Sequence, residues 1–168
     1  MRLFLLRHAI AKDGMSDELR PIGNMGFAQI DNLCAFLNRG TFSTVAQIWH
    51  SPFLRASQTA ALFKEKMQMQ APLVEYRNMR PIDDARTLAR AIASISAFGS
   101  DLLLVGHNPN LEELSEILLN VPPGFRKARF TNCTLACFEL EETPSIENEF
   151  GRWIINFLVS PSDLKRGD

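Results

Sequence analysis

Several absences narrow the reading of this chain. It holds three cysteines, Cys34, Cys133 and Cys137, and an odd number without framework spacing excludes a disulfide-stapled scaffold. Cys133 and Cys137 stand four apart, yet no further ligand types gather near them, so they read as buried free thiols and neither a metal nor a cofactor is expected. An excess of one charge is also missing. Lys and Arg number 18 against 19 Asp and Glu, for a net charge of -1. That balance gives no general attraction to nucleic acid or to a membrane surface, and any cationic site must be local. No apolar run reaches the roughly 18–20 residues of a membrane span. The start lacks the long apolar segment and small-residue cleavage site of a secretory leader, so the expected compartment is the cytoplasm. Repeats, long linkers and low-complexity segments are absent, and 168 residues with 46% hydrophobic content suit one domain over 1–168.

What is present is an alternation of strand-like and helix-like patterns. Residues 2–7 form a mostly apolar run that reads as a buried strand. Residues 23–37 read as an amphipathic helix with Ala28, Leu33, Phe36 and Leu37 among its apolar positions, ended by Gly40. A strand at 45–49 is followed by Ser51-Pro52, which reads as a helix cap and a first-turn proline. That helix is expected to carry Leu54, Ala61, Leu62 and Phe63 inward. A strand at 73–76 and a helix at about 83–97, with Leu88, Ile92 and Ile95 at helical spacing, come next. A strand at 101–105 leads into a helix opened by Asn108-Pro109 and running to about Leu119. Pro122-Pro123-Gly124 marks a loop. Strands at 134–140 and 153–159 close the chain before a polar tail at 161–168. The expected fold is therefore α/β, a three-layer α/β/α sandwich whose mostly parallel sheet ends in an antiparallel edge.

Only three histidines occur, and two follow the most strand-like runs. Arg7 and His8 leave the first strand; His107 leaves the strand at 101–105. Arg55 lies in the first turn of the helix after the second strand, where a cation opposes the helix dipole and invites an anionic partner. In a parallel sheet such exits share one edge, where ligands bind. Two guanidinium groups near a helix N-terminus suit a phosphoryl dianion. Two imidazoles beside them suit covalent work by one and charge stabilisation by the other.

These segments together resemble the histidine phosphatase superfamily, which has the phosphoglycerate mutase-like fold. Leu6-Arg7-His8-Ala9 resembles its signature, and Ala in place of the usual Gly, with Ala11 beyond, is similar to the small SixA-type phosphohistidine phosphatases. Arg20-Pro21-Ile22 with Gly26, the run Ser51 to Thr59, and Val105-Gly106-His107-Asn108-Pro109 match further segments of that subgroup. The resemblance spans residues 2 to about 120. It implies that His8 is the nucleophile and becomes phosphohistidine, while Arg7, Arg55 and His107 bind the phosphoryl group. Arg20 lines the pocket or pins a loop. The implied activity is a metal-independent phosphatase acting on phosphohistidine of a phosphotransfer protein. The alternatives are a phosphomonoesterase for a small phosphate ester such as a sugar phosphate, and a phosphohistidine-binding module without turnover.

Departures from the family pattern shape the expectation. Asn78 stands where relatives offer a Glu or Asp as proton donor. Asp84, ahead of Asp83, is the candidate acid, and a chain without any acid is the other reading. An imidazole leaving group needs less acid assistance than an alcohol, which tilts the substrate toward an N-phosphate. Gly23 replaces the expected Thr. His50 fits no site role and reads as structural. Arg77 and Arg80 either touch substrate or are solvated, and the run Arg126-Lys127-Ala128-Arg129 is a charged face or a dock for an acidic partner. The stretch from Trp49 to Leu73 has room for one helix and no helical lid, so the site should be open to a protein-borne phosphate.

Overall fold

The computed structural model describes residues 1–14, 16–125 and 127–164. Arg126 of the basic run and residues 165–168 of the tail lie outside the described residues. Strands β1 (Arg2–Arg7), β2 (Val45–His50), β3 (Leu73–Glu75), β4 (Asp101–Gly106), β5 (Leu135–Glu142) and β6 (Arg152–Val159) form one sheet in the order β3-β2-β4-β1-β5-β6. The first four of that order run parallel, and β5 and β6 add the antiparallel edge. Four helices cover the sheet: α1 (Asn24–Phe36), α2 (Leu54–Met67), α3 (Ala85–Ser96) and α4 (Asn110–Leu118).

Because β1 and β4 are covered on both faces, they read as continuous apolar runs rather than as alternating ones. Successive side chains still go to opposite layers. Phe4 and Leu6 of β1, with Leu103 and Val105 of β4, pack under α1 and α2. Leu3 and Leu5, with Leu102 and Leu104, pack under α3 and α4. Each such fully buried Leu, Ile or Phe contributes about 1.5–3 kcal/mol of transfer free energy. Between β2 and β3 the chain forms α2 alone, without a lid.

Four local readings are corrected. Ser51 is not a helix cap: its backbone continues the β2 ladder, Ser51 N–H donating to Val105 O at 3.0 Å, and α2 begins three residues later with Phe53 as N-cap. The inward face of α2 is Ala56, Thr59, Ala60, Phe63 and Met67, and Ala61 faces solvent. In α1 the buried stripe is Gly26, Ile30 and Leu33, while Ala28 and Phe36 are exposed. That helix ends at Phe36, and Gly40 sits in a separate 3-10 turn.

The fold collects its polar residues at the carboxyl ends of β1, β4 and β2. Parallel register pairs Arg7 with Gly106, so His8 and His107 leave adjacent strands side by side. The β2 register pairs His50 with Val105, which sets Ser51 next to the same exit.

Candidate active site

His8 stands at the centre of this edge. Its backbone N–H donates to Gly106 O at 3.0 Å, and its carbonyl accepts from Cys133 N–H and Asn132 Nδ2, both at 3.2 Å. The imidazole Nδ1 lies 2.7 Å from Ala9 O, which can only accept, so Nδ1 carries the ring proton. Nε2 is then bare, and it accepts from Arg55 Nε at 3.2 Å. The ring is 8% exposed. Burial, followed by the positive charges of Arg55, Arg7 and Arg20, brings its pKa down to about 4 against the opposing hydrogen bond to Ala9. A neutral imidazole with an unprotonated Nε2 is the nucleophilic form, once an incoming phosphorus takes the place of the Arg55 contact.

Arg55 comes from the first turn of α2, where its guanidinium is buried at 5% exposure. Its charge is balanced by a residue that sequence reasoning missed. Arg55 Nη1 donates to the backbone carbonyl of Asp17, and Arg55 Nη2 pairs with Asp17 Oδ2 at 3.1 Å. Partial burial works to raise the Asp17 carboxyl, but hydrogen bonds and charge from Arg55 and Arg20 outweigh it and hold it below its ordinary range. Asp17 grips the far end of the guanidinium and leaves its Nε side toward His8. Arg20 meets both of its sequence-based alternatives. It lines the site cavity and also pins the loop, with Nε donating to Lys12 O at 2.8 Å and ion pairs to Asp13 and Asp17 at 2.9 and 3.3 Å.

On the other side, Arg7 Nη1 donates to Phe130 O at 2.7 Å, and its buried Nε has no partner. The His107 ring lies 4.8 Å from that of His8 and 5.1 Å from that of Phe53. His107 Nε2 is 2.8 Å from Ser51 Oγ, and its Nδ1 is buried and unpartnered. Burial first, then the repulsion that a protonated His8 would exert and the charges of Arg55 and Arg7, lowers its pKa to about 2. Arg7, His8, Arg20, Arg55 and His107 all border one cavity of about 380 Å³, with Asn108 and Asn132 on its wall. Three arginines border the cavity, and one buried donor, Arg7 Nε, is left open among the described residues, groups that suit an oxyanion.

The structure does not bring Asp84 to this cavity. Its carboxylate caps α3, accepting from Arg86 N–H at 3.0 Å and from Thr87 Oγ1 at 3.1 Å, and it borders a different hollow between α3 and α4. The hydrogen bond from Arg86 holds its carboxyl below the usual range, so it has no proton to give near neutrality. Asp83 is spent on Arg80, accepting from its backbone N–H at 2.7 Å and its Nε at 3.2 Å. Asn78 is exposed in the 3-10 turn Arg77–Met79. Arg77 and Arg80 border a neighbouring hollow with Glu18, Pro52, Phe53 and Glu75. His50 has a structural role, its Nδ1 lying 3.0 Å from Ser51 O. Ala128 is buried in the core, and Arg129 borders a surface hollow shared with Arg7 and Asn132.

The fold recurs in solved structures. The protein histidine phosphatase SixA, determined with tungstate, superposes with a TM-score of 0.82 at 26% identity, covering 98% of this chain and all (100%) of that one. The fold is that of the histidine phosphatase superfamily. Another histidine phosphatase structure, described as a phosphohistidine phosphatase SixA from Agrobacterium tumefaciens, gives a TM-score of 0.73 at 23% identity over 95% of this chain and 97% of its own. A mycobacterial glucosyl-3-phosphoglycerate phosphatase matches at 0.67 and 17% identity over 92% of this chain and 96% of its own, sharing the fold. No family model matches the sequence, and no match is found among curated proteins. Of these structures, the protein histidine phosphatase SixA, at 26% identity, supports an activity of the histidine-phosphatase type, and the others share the fold.

Proposed function

We propose that this chain, acting as one domain, is a metal-independent phosphatase that works through a phosphohistidine at His8 and takes phosphohistidine on a phosphotransfer protein as substrate. One observation carries the reading: a buried, neutral His8 keeps its Nε2 unprotonated, held by a hydrogen bond from Arg55 Nε, with Arg7 and His107 bordering the same cavity. Nε2 attacks phosphorus, and the bond from phosphorus to the substrate nitrogen breaks. The leaving imidazole takes a proton on its second nitrogen from solvent. Water then attacks phosphorus on His8, the new N–P bond breaks, and phosphate departs with neutral His8 restored. Arg7 and Arg55 carry the charge of the transferring group, which is most of what phosphoryl transfer asks of a protein.

Three features support phosphohistidine over an alcohol ester. No carboxylic acid occupies the position of Asn78, neither Asp83 nor Asp84 reaches the cavity, and Asp13, which borders it, is ion-paired with Arg20. Among the described residues, no lid covers the site. Exposed Leu19 and Ile82, at 57% and 91%, stand one residue from the cavity-lining Arg20 and Pro81, which offers a surface for a macromolecule. A cytoplasmic setting belongs to the same proposal and fits the three free thiols.

The test is catalytic efficiency on a phosphohistidine-bearing protein, a sugar phosphate and phosphoserine, each with and without exhaustive chelation. Phosphohistidine should lead by at least tenfold and chelation should change nothing. A wide preference for the sugar phosphate would replace this reading with the small-ester one. Binding of phosphohistidine without turnover would make the chain a recognition module, and activity lost to a chelator and restored by a divalent ion would make it a metal hydrolase.

A further inference from the structure

Ser51 carries no role in the reaction so far. It is wholly buried, and its hydroxyl has two neighbours. Phe53 N–H donates to Oγ at 3.3 Å, and His107 Nε2 lies 2.8 Å away. The β2–β4 and β1–β4 registers carry Ser51 level with Gly106 and His8 level with His107, so the three residues meet at adjacent strand exits. Among the described residues, His107 Nδ1 is buried with no partner.

Counting hydrogen-bond groups decides where the protons sit. If His107 were protonated on Nε2, it would donate to Oγ. The Ser51 hydroxyl hydrogen and the bare Nδ1 would then both be buried without partners. If Ser51 donates to a bare Nε2, the hydroxyl is fully used, and one group is left over, the Nδ1–H. Buried polar groups without partners are costly, so the second arrangement wins. The leftover group is then a donor, on a ring that borders the anion cavity, and an anion oxygen is what completes it. A cationic imidazolium is disfavoured beside Arg7 and Arg55.

We propose that Ser51 is a positioning residue that holds His107 as its neutral Nδ1–H tautomer, aimed as a hydrogen-bond donor at an oxygen of the transferring phosphoryl group. The proposal rests on the phosphatase reading and adds the device that sets its second histidine. The run Ser51-Pro52 thereby does two jobs at once: it leaves the β2 ladder and fixes a proton on the neighbouring strand exit.

The direct test is nitrogen NMR on the full chain with labelled histidine. His107 should show a protonated Nδ1 and a bare Nε2 from pH 5 to 8, and orthophosphate should shift the Nδ1-bound proton. A protonated Nε2, or an Nδ1 proton that saturating orthophosphate leaves unmoved, would overturn the proposal. In Ser51→Ala, kcat on an aryl phosphate and affinity for vanadate should each fall about tenfold or more, because one oxyanion donor is lost for part of the population. Ser51→Thr keeps the hydroxyl and should recover most of both. Unchanged kcat and vanadate affinity in a folded Ser51→Ala would also overturn it. Should that variant fail to fold, the wild-type spectra decide alone. Failure of the phosphatase reading shows separately, as a wild-type chain that turns over no phosphorylated substrate, while the tautomer is read from its own signals.

Discussion

His8 and His107 are held neutral by the same burial and the same arginines that make the pocket, and stability shares the cost. His8 falls from an ordinary 6.5 to about 4, and His107 to about 2. In the unfolded chain both take up protons near 6.5; folded, they resist until far lower pH. Stability from this source is therefore fully present above about pH 6.5 and is lost as pH falls toward and past 4. For His8 alone the full effect is about 3 kcal/mol. We expect the urea midpoint to drop from pH 7 to pH 5, and less steeply in His8→Asn, which has nothing to titrate there. Equal slopes in the two proteins would contradict the assigned state of His8. At this scale the sequence was legible where a residue follows a strand: Arg7, His8 and His107 are read from strand exits, and Arg55 from a cation in a helix first turn. Asp17 was not legible, because its pairing with Arg55 depends on how the loop before Arg20 folds back. Ser51 was misread because Ser-Pro suits a helix start as well as a strand exit.

Between elements, α1 is pressed against the loop that follows His8. A Cβ on Gly26 would lie 2.3 Å from Ile10 O and 2.6 Å from Ile22 Cγ2. Ile10 O is backbone and is already held by Gly23 N–H at 2.9 Å, so it has little room to give. In an open helix Gly→Ala gains about 1 kcal/mol; here overpacking, typically about 1–3 kcal/mol or more against fixed backbone, should win. Gly26→Ala is expected to lower the denaturant midpoint and to weaken phosphate binding by displacing the segment after His8. A stabilised variant with unchanged phosphate affinity would refute this packing. The existence and order of the elements followed from the alternation of periods. The faces of α1 and α2 did not, because exposed Ala28, Phe36 and Ala61 read as core to any count of apolar positions. Helix starts slipped for a physical reason as well: Ser51 stays in the ladder, and Asp84 rather than Asp83 supplies the cap of α3.

Seen as a whole molecule, the order β3-β2-β4-β1-β5-β6 places β4 between β1 and β2, so three sequence-distant exits become neighbours. The alternation predicted a mostly parallel sheet and an antiparallel edge; strand order depends on crossovers that one sequence does not print. The central claim is that phosphoryl groups pass through His8. It is tested most directly by reacting the protein with labelled phosphohistidine or aryl phosphate, quenching at alkaline pH, where phosphohistidine survives, and mapping the label by mass spectrometry. The account predicts label on His8 Nε2, and none in His8→Ala. Label on another residue, or full turnover by His8→Ala, would contradict it.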